Sequence, residues 1–195
     1  MSLRGVYEHN AVQFDRDRTR DLHERGWLER FCAEMPRGGR VLDLGCGAGE
    51  PMAGYLIGRG LAVTGVDFAP AMLELARARF PDGRWIEGDM RALDLGEVFD
   101  GVLAWNSFFH LTAEEQRGVI PRLAAHLCPG GALMMSVGPE AGDVWGTVAG
   151  EAVYHASLSP DDYAAELANC GCEVAAFCAE DADCNGHSVL LARKG

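Results

Sequence analysis

Hydrophobic and polar residues follow two patterns along the chain, and these patterns predict strands and helices in turn. Short apolar runs of strand length fall at 40–45, 61–66, 85–87, 99–105, 132–137, 172–178 and 188–192. Between most of these runs, apolar residues recur at helical spacing. Local signals mark the helix boundaries: one helix ends near Met35, others begin at Pro51, at Pro70 and after Ser159, and Thr112 with Glu115 has the form of a capping box.

This alternation of strands and helices predicts an α/β fold. Because parallel strands need helical crossovers, we expect a doubly wound, seven-stranded, mainly parallel sheet with helices on both faces. The last two runs have no helix between them, so they should pair antiparallel and supply an antiparallel edge strand. The 195 residues suit one domain, with an N-terminal helical segment at 1–38 and the sheet core at 39–195.

Glycine and proline predict irregularities in two places. Gly118 and Pro121 interrupt the helix that follows Thr112, so we expect a kink or a late start there. The segment from Cys128 to Gly131 reads Cys-Pro-Gly-Gly, which predicts a turn before the strand at 132–137.

Composition and net charge disfavour some classes of binding partner. Hydrophobic residues make up 48% of the chain and charged residues 24%, as in ordinary globular proteins. The formal net charge of −12 disfavours nucleic acid and anionic membrane as partners. Seven cysteines without a Cys-x-x-Cys pair, and no apolar stretch near the start, predict a reduced cytoplasmic protein.

The strongest chemical signal is a glycine-rich turn after the first strand, where Gly45, Gly47 and Gly49 alternate with other residues. Ligands of open α/β sheets bind at the carboxyl ends of the strands, and glycine lets them approach the backbone. Dinucleotide enzymes have a third glycine at the position that Glu50 occupies here, where a carboxylate would repel a pyrophosphate. A cofactor without phosphates, such as S-adenosylmethionine, is therefore favoured.

Asp67 ends the second strand. A carboxylate there can accept hydrogen bonds from both hydroxyls of a ribose. The alternative is a solvated cap on the next helix. The glycine-rich turn upstream favours the ribose role.

Five segments, in this order and spacing, resemble the motifs of class I S-adenosylmethionine-dependent methyltransferases, most closely bacterial small-molecule methyltransferases. They are Asp43-x-Gly45-x-Gly47-x-Gly49, Val66-Asp67, Gly88-Asp89-Met90, 99–104 and 127–133. The resemblance covers the chain from about Tyr7 to its end. Enzymes of this class that methylate amino groups of DNA and protein have Asn/Asp-Pro-Pro-aromatic where this chain has Trp105-Asn106-Ser107-Phe108, which disfavours that branch.

The resemblance implies a Rossmann-like core and methyl transfer from S-adenosylmethionine to a small molecule by direct in-line displacement. It implies that Asp89 binds the adenine amino group and the Met90 amide the ring, and that the segment 1–38 closes over the cofactor as a lid. Arg18 in that segment could pair with the methionine carboxylate. The residues expected at the cofactor are Arg18, Asp43, Gly45, Cys46, Gly47, Gly49, Asp67, Phe68, Met72, Asp89, Met90 and Trp105.

Three residues are candidates for catalysis: His110, Tyr154 and His155. His110 follows the fourth strand, where the methyl group should lie, and could act as a general base if the acceptor starts protonated. Its alternative role is to order the loop before Thr112. Tyr154 and His155 precede the last helix, in a stretch that often forms the acceptor pocket in the family; the alternative is a loop that packs on the sheet.

Several alternatives stay open from the sequence. The aromatic residues Trp105, Phe108, Phe109 and Trp145 could line an apolar pocket or belong to the core. The protein could also be a non-catalytic S-adenosylmethionine-binding or interaction protein or, less favoured, an NAD(P)-dependent oxidoreductase. A monomer and a homodimer are equally compatible with the sequence.

Cysteines cluster near the C-terminus. Cys170, Cys172, Cys178 and Cys184 with His187 match no common zinc spacing, so we expect small buried residues and no metal. Cys172 and Cys178 should share one face of their strand.

Overall fold

A seven-stranded sheet forms the centre of the computed structural model, which describes residues 2–195. The helices are α1 (Leu3–Asp17), α2 (Arg25–Ala33), α3 (Met52–Gly58), α4 (Pro70–Arg79), α5 (Ala113–Ala125) and α6 (Pro160–Asn169). The strands are β1 (Arg40–Leu44), β2 (Ala62–Asp67), β3 (Arg84–Glu87), β4 (Phe99–Ala104), β5 (Leu127–Val137), β6 (Gly142–Val148), β7 (Glu151–Ser157), β8 (Cys172–Asp181) and β9 (His187–Lys194). Short 3-10 turns lie at Met90–Ala92, Phe108–His110 and Ala182–Cys184.

The strand order in the large sheet is β3-β2-β1-β4-β5-β9-β8. Strands β1 to β5 pair in parallel, whereas β9 runs antiparallel to both β5 and β8. The predicted mainly parallel sheet, with its last two strands paired antiparallel at one edge, is confirmed. The order reverses between β1 and β4, so their carboxyl ends open a crevice at this point of the sheet.

Apolar residues from both faces of the sheet build two core layers. Along β1, Leu42 and Leu44 belong to the layer under α5 and α6, while Val41 belongs to the layer under α2 and α3. From α2, Leu28 and Phe31 are fully buried in the second layer. Burial of each such side chain contributes about 1.5–3 kcal/mol to the free energy of unfolding. The packed core therefore fixes the positions of the strand ends.

Side-chain caps start α5 and α6 where the sequence predicts them. The Ser159 hydroxyl accepts from the Asp162 amide, and Thr112 with Glu115 forms a complete capping box. Of the two expected irregularities in α5, a kink or a late start, the late start is wrong: the helix begins at Ala113, directly after its cap, and continues through Pro121. A capping box satisfies amides of the first turn, which offsets the missing N–H of the proline.

The predicted Cys-Pro-Gly-Gly turn lies within β5 as a bulge. Leu127 pairs with Phe99, and the next pair joins Ala132 to Gly101, so four residues of β5 oppose one of β4. The strand therefore begins five residues before the predicted one.

A two-stranded hairpin of β6 and β7 was missed by the hydrophobic pattern. Every residue of β6 is at least partly exposed, so the strand has no buried face to give a period-2 signal. Its turn is Ala149-Gly150, with φ of 49° and 82°. Positive φ at both central residues is typical of the tight turns that join antiparallel strands.

The cysteines near the C-terminus do not lie together on one face. The expectation that Cys172 and Cys178 share a face is wrong, because a register shift between Val174 and Ala176 reverses the alternation of β8. Cys172 contacts the layer under α6, and Cys178 contacts the layer on the other side of the sheet. Among residues 2–195, no group of three or more His, Cys, Asp or Glu residues could hold a metal ion.

Helix α1 lies across the carboxyl edge of the sheet and packs against α4. Its buried Ala11 meets Met72 and Ala69 in a small apolar cluster. An ion pair joins the Asp15 carboxylate to the Arg79 guanidinium, with an N–O distance of 2.7 Å. Over the described residues, no helix combines the length and the apolar character needed to cross a membrane.

Candidate cofactor and acceptor site

A cavity opens at the carboxyl ends of β1, β2 and β4 and is covered by α1. Most of the residues expected at the cofactor line it: Arg18, Asp43, Gly45, Cys46, Gly47, Asp67, Phe68, Met72, Met90 and Trp105. His110 also lines it, together with Tyr7, Phe14, Asp15, Ala48, Glu50, Met52, Asn106 and Ser107. Gly49, Asp89, Tyr154 and His155 do not.

The three glycines of the turn after β1 have different reasons to be glycine. A Cβ on Gly45 would lie 2.3 Å from the Cβ of Ser107, so the neighbouring strand tip requires this glycine. A Cβ on Gly49 would lie 3.0 Å from the ring of Phe80. A Cβ on Gly47 would meet only the Met72 sulfur at 4.0 Å, and φ is 52°. Gly47 is therefore where the turn is open to a ligand.

Asp67 holds this open turn in place. One carboxylate oxygen accepts from the Gly47 amide at 2.9 Å, and the other accepts from the Ala69 amide at 2.8 Å. Burial raises the pKa of the Asp67 carboxyl, and these amide hydrogen bonds oppose the shift. Each oxygen keeps a free lone pair, because a carboxylate has about four acceptor positions.

Asp43 and Arg18 give the cavity buried charge of both signs. Asp43 is 3% exposed, and its Oδ2 has no hydrogen-bond partner among residues 2–195. Burial raises the pKa of Asp43 to about 7, with the Asp67 charge adding to the shift and Arg18 opposing it. Burial also lowers the pKa of Arg18. An orphaned carboxylate oxygen and a guanidinium at one cavity suit a ligand that carries both an ammonium and a carboxylate.

The segment after β3 reaches the cavity only through Met90. The Asp89 carboxylate instead accepts from the Arg91 guanidinium and backbone amide, and these hydrogen bonds lower its pKa. Arg91 also pairs with Glu115 at the start of α5. Asp89 thus caps its own turn, beside the cavity wall.

Both ring nitrogens of His110 are engaged. Its Nε2 lies 2.9 Å from the hydroxyl of Tyr7, and its Nδ1 lies 3.1 Å from the Tyr154 carbonyl oxygen. Because a carbonyl only accepts, Nδ1 donates, and Nε2 of the neutral ring accepts from Tyr7. Burial lowers the pKa of His110 to about 4 and raises that of Tyr7 to about 12. Both groups are neutral near pH 7.

A second cavity of about 390 Å³ lies under the hairpin, on the other side of His110. Phe109 and His155 line it, and the rings of His110 and His155 are 4.8 Å apart between centroids. The Tyr154 side chain packs against Trp145 instead, with ring centroids 5.6 Å apart.

The four aromatic residues left open by the sequence divide between pocket, core and surface. Trp105 lines the first cavity, and its indole N–H donates to the buried Glu24 carboxylate at 3.1 Å. Phe109 lines the second cavity. Phe108 is fully buried, whereas Trp145 is 70% exposed.

Sequence reasoning missed two cavity residues at the tip of β4. Asn106 has φ of 50°, and its amide donates to the Ser136 hydroxyl at 2.7 Å. The Ser107 hydroxyl donates to the Leu44 carbonyl at 2.6 Å. An asparagine directly after a buried strand is the available signal, because Asn tolerates the left-handed conformation that re-aims a strand tip.

The fold and the crevice at its topological switch point define a Rossmann-like cofactor-binding protein. Residues 41–131 match the family described as a methyltransferase domain. Over this segment the chain is similar to the methyltransferases of that family.

Trans-aconitate 2-methyltransferase from Paracidovorax citrulli is 35% identical over 130 residues, which cover 64% of this chain and 47% of that protein. A dTDP-4-amino-2,3,4,6-tetradeoxy-D-glucose N,N-dimethyltransferase from Saccharopolyspora spinosa is 33% identical over 99 residues, covering 50% of this chain and 39% of that protein. The chain thus spans less than half the length of these two relatives.

A solved structure matches over nearly the whole chain. It is an S-adenosylmethionine-bound amino pentose methyltransferase from Micromonospora echinaspora involved in calicheamicin biosynthesis. It is 26% identical with a TM-score of 0.74, and the match covers 96% of each chain.

Proposed function

We propose that this protein binds S-adenosylmethionine in the first cavity and transfers its methyl group to a small-molecule acceptor. The observation that carries the proposal is the open backbone at Gly47 beside the orphaned, buried Oδ2 of Asp43. The cavity carries one guanidinium, Arg18, and three carboxylates besides Asp43: Asp15, Glu50 and Asp67. That excess of negative charge suits a cationic cofactor better than a pyrophosphate.

Within this proposal, the lining residues divide by chemistry. Asp67 accepts from the ribose hydroxyls with its free lone pairs, and the Met90 amide and Phe68 meet the adenine ring. Arg18 pairs with the methionine carboxylate, and Asp43 takes the ammonium. Asp89, which lies beside the cavity in a pair with Arg91, would reach the adenine amino group only by a change of side-chain conformation.

The bound cofactor supplies an activated methyl group on a positively charged sulfur. The chain's task is then to hold the acceptor in line with that methyl group and to exclude water, which can lower the barrier by about 7–11 kcal/mol at best. We propose that the segment 1–38 serves as the lid over the core at 39–195, because Tyr7, Phe14 and Arg18 of this segment already cover the cavity.

Three catalytic assignments belong to the proposal: His155 as a proton acceptor, His110 as a proton acceptor only when its Nε2 is released by the Tyr7 hydroxyl, and Tyr154 as a pocket residue. The Tyr154 backbone oxygen supports its role by fixing the tautomer of His110. We further propose a reduced cytoplasmic setting, supported by the seven free cysteines. A monomer or homodimer acting on a small molecule, without nucleic acid or membrane as partner, completes the proposal.

Calorimetry with S-adenosylhomocysteine tests binding directly. We expect a 1:1 complex and a rise in Tm, with neither effect from NAD or NADP. An Asp43→Asn, Arg18→Gln protein should lose most of the affinity, while Glu173→Gln on the exposed surface of β8 serves as the control. Absence of heat and of a thermal shift with S-adenosylhomocysteine contradicts the proposal.

Turnover separates an enzyme from a non-catalytic binder. Release of S-adenosylhomocysteine from S-adenosylmethionine is measured across small amines, acids and phenols. We expect release with at least one class. His110→Ala should lower this rate at saturating cofactor, and full turnover by that variant excludes a catalytic role for His110.

A further inference from the structure

The second cavity is separated from the first by one pair of rings. His110 lines the first cavity and His155 the second, with 4.8 Å between the two ring centroids. Phe109 packs against both rings, at 5.0 Å from His110 and 4.7 Å from His155. The two cavities therefore adjoin at these three rings, and an acceptor in the second cavity must place its reacting atom between them to reach the first.

Of the two histidines between the cavities, only His155 has ring nitrogens that are free of hydrogen bonds. His110 uses both nitrogens, for Tyr7 and for the Tyr154 carbonyl. Among residues 2–195, no hydrogen bond engages a ring nitrogen of His155, and burial alone lowers its pKa. Its ring lies against β6, where a Cβ on Gly146 would be 2.8 Å from its Cε1. His155 is thus held in place by packing alone, with its nitrogens available to a ligand.

The walls of the second cavity indicate the chemistry of that ligand. Phe109, Val137, Pro139 and Val144 supply apolar surface. Glu140 and Asp143 add two carboxylates, and neither forms an ion pair among the described residues. Lys and Arg are absent from the cavity lining. This combination attracts a cation and repels an anion.

We propose that the second cavity is the acceptor site, that its acceptor is a primary or secondary amine on a partly apolar scaffold, and that His155 is the catalytic base. The inference rests on the proposed function, since it assigns the methyl acceptor of that reaction. The ammonium form is drawn in by Glu140 and Asp143. The ammonium loses its proton beside the rings of His110 and His155, where burial favours the neutral amine.

The step balances without a further reactant. One N–H proton of the ammonium passes to the free nitrogen of His155, which becomes an imidazolium. The amine lone pair forms the bond to the methyl carbon, and the C–S bond breaks with its electron pair going to sulfur. The imidazolium then releases the proton to water, so each turnover yields a methylated ammonium, S-adenosylhomocysteine and one proton.

Matched probes test the charge of the acceptor. Cyclohexylamine, cyclohexanol and cyclohexanecarboxylate share one scaffold, and D-glucosamine, N-acetyl-D-glucosamine and D-glucuronate share another. Release of S-adenosylhomocysteine is measured for each with S-adenosylmethionine and the full chain. We expect release with the amine members. Equal or greater release with a carboxylate or hydroxyl probe, or no release with either amine, overturns the inference.

Two sets of variants test the residues. Glu140→Gln, Asp143→Asn should raise KM for the amine about tenfold, which corresponds to about 1.4 kcal/mol of lost attraction, and leave kcat unchanged. Glu151→Gln, Glu173→Gln removes the same charge from exposed positions outside the cavity and should change neither constant. An unchanged KM in the cavity variant contradicts the site.

His155→Phe keeps the ring contacts and removes the nitrogens. We expect kcat to fall about a hundredfold, within the usual range for loss of a general base, with KM unchanged. In the wild-type protein, kcat should fall at acid pH, below the range in which an ordinary histidine titrates, because burial lowers the pKa of His155. The charged or titratable groups facing it are His110 on the turn after β4, Glu140 before β6 and Asp143 on β6.

An unchanged kcat and pH profile in His155→Phe would show that His155 is not the base. Calorimetry with S-adenosylhomocysteine is run first on every protein. Failure of the wild-type protein to bind S-adenosylhomocysteine counts against the proposed function. Intact binding together with the wrong acceptor preference counts against this inference alone.

Discussion

The hydroxyl of Tyr7 lies 2.9 Å from Nε2 of His110, although 103 residues separate them in sequence. This hydrogen bond joins α1 to the turn that follows β4. The edge of the Tyr7 ring also meets Phe14 and Phe68, with centroid distances of 5.3 and 6.2 Å. The contacts of one residue therefore tie the helix over the cavity to two of its walls.

Tyr7→Phe should loosen α1 without unfolding the protein. The variant loses one hydrogen bond and leaves a buried histidine nitrogen unpaired, a cost of about 1 kcal/mol. Hydrogen exchange of the α1 amides should become faster, with a small fall in Tm.

Tyr55→Phe is the matched control, because the buried Tyr55 hydroxyl has no partner among residues 2–195. Its removal should leave the stability unchanged or raise it. Equal exchange rates for α1 in both variants would contradict the proposed tie.

Gly45→Ala should destabilise the protein far more than Gly47→Ala. The first change places a Cβ 2.3 Å from that of Ser107 and puts alanine at φ of 68°, with a combined cost of about 3 kcal/mol. In Gly47→Ala the new Cβ meets open space, so the variant loses only the about 1–2 kcal/mol that alanine costs in the left-handed backbone conformation. Urea unfolding measures both.

Ser107→Gly removes the atom that Gly45→Ala would strike, so the double variant should recover part of the lost stability. Simple additivity of the two single changes would show that the clash is not the cause. Gly47→Ala should instead lose affinity for S-adenosylhomocysteine.

Asp43→Asn should stabilise the protein at alkaline pH. The folded-state pKa of about 7 exceeds the ordinary Asp value of 3.8, so the folded protein binds more protons between these pH values. The free energy of unfolding therefore falls as pH rises through this window. The total cost is at most about 4 kcal/mol, at about 1.4 kcal/mol per pH unit.

Unfolding of both proteins from pH 4 to 8 measures this difference. His110 shifts the pH dependence in the opposite direction, since its pKa is lowered to about 4, but it is present in both proteins and cancels. A difference between variant and wild type that does not grow with pH contradicts the prediction.

Ala149→Asn should stabilise the hairpin of β6 and β7. Ala149 has φ of 49° in the turn before Gly150, a conformation that costs about 1 kcal/mol for alanine and less for asparagine. Slower hydrogen exchange in β7 should report the gain.

Asn185→Ala provides the reciprocal change. Asn185 has φ of 54° before Gly186 in the connection to β9, so alanine there should cost about 1 kcal/mol. Ala149→Asn should therefore stabilise the protein and Asn185→Ala should destabilise it, and effects of the same sign contradict this explanation.

The cofactor side of the site is predictable because its signals are local. Most of its residues lie at the end of a buried strand or directly after it, and parallel strands bring their carboxyl ends to one edge. Ten of the twelve residues expected at the cofactor line the cavity. The exceptions have physical reasons: Gly49 faces Phe80, and Asp89 pairs with Arg91 two positions away.

The acceptor side depends on contacts that no local pattern contains. The hairpin over the second cavity has an exposed outer strand and so no hydrophobic period. Which histidine keeps a free nitrogen depends on Tyr7 and the Tyr154 carbonyl, both distant from His110 in sequence. Hydrophobic period and glycine spacing thus determined the sheet, the strand tips and the class of cofactor, since these follow from short-range backbone constraints. Only the packing of α1 and the hairpin onto that sheet decided which polar atoms are satisfied and which remain available, because hydrogen bonds between distant segments exist only after the chain has folded.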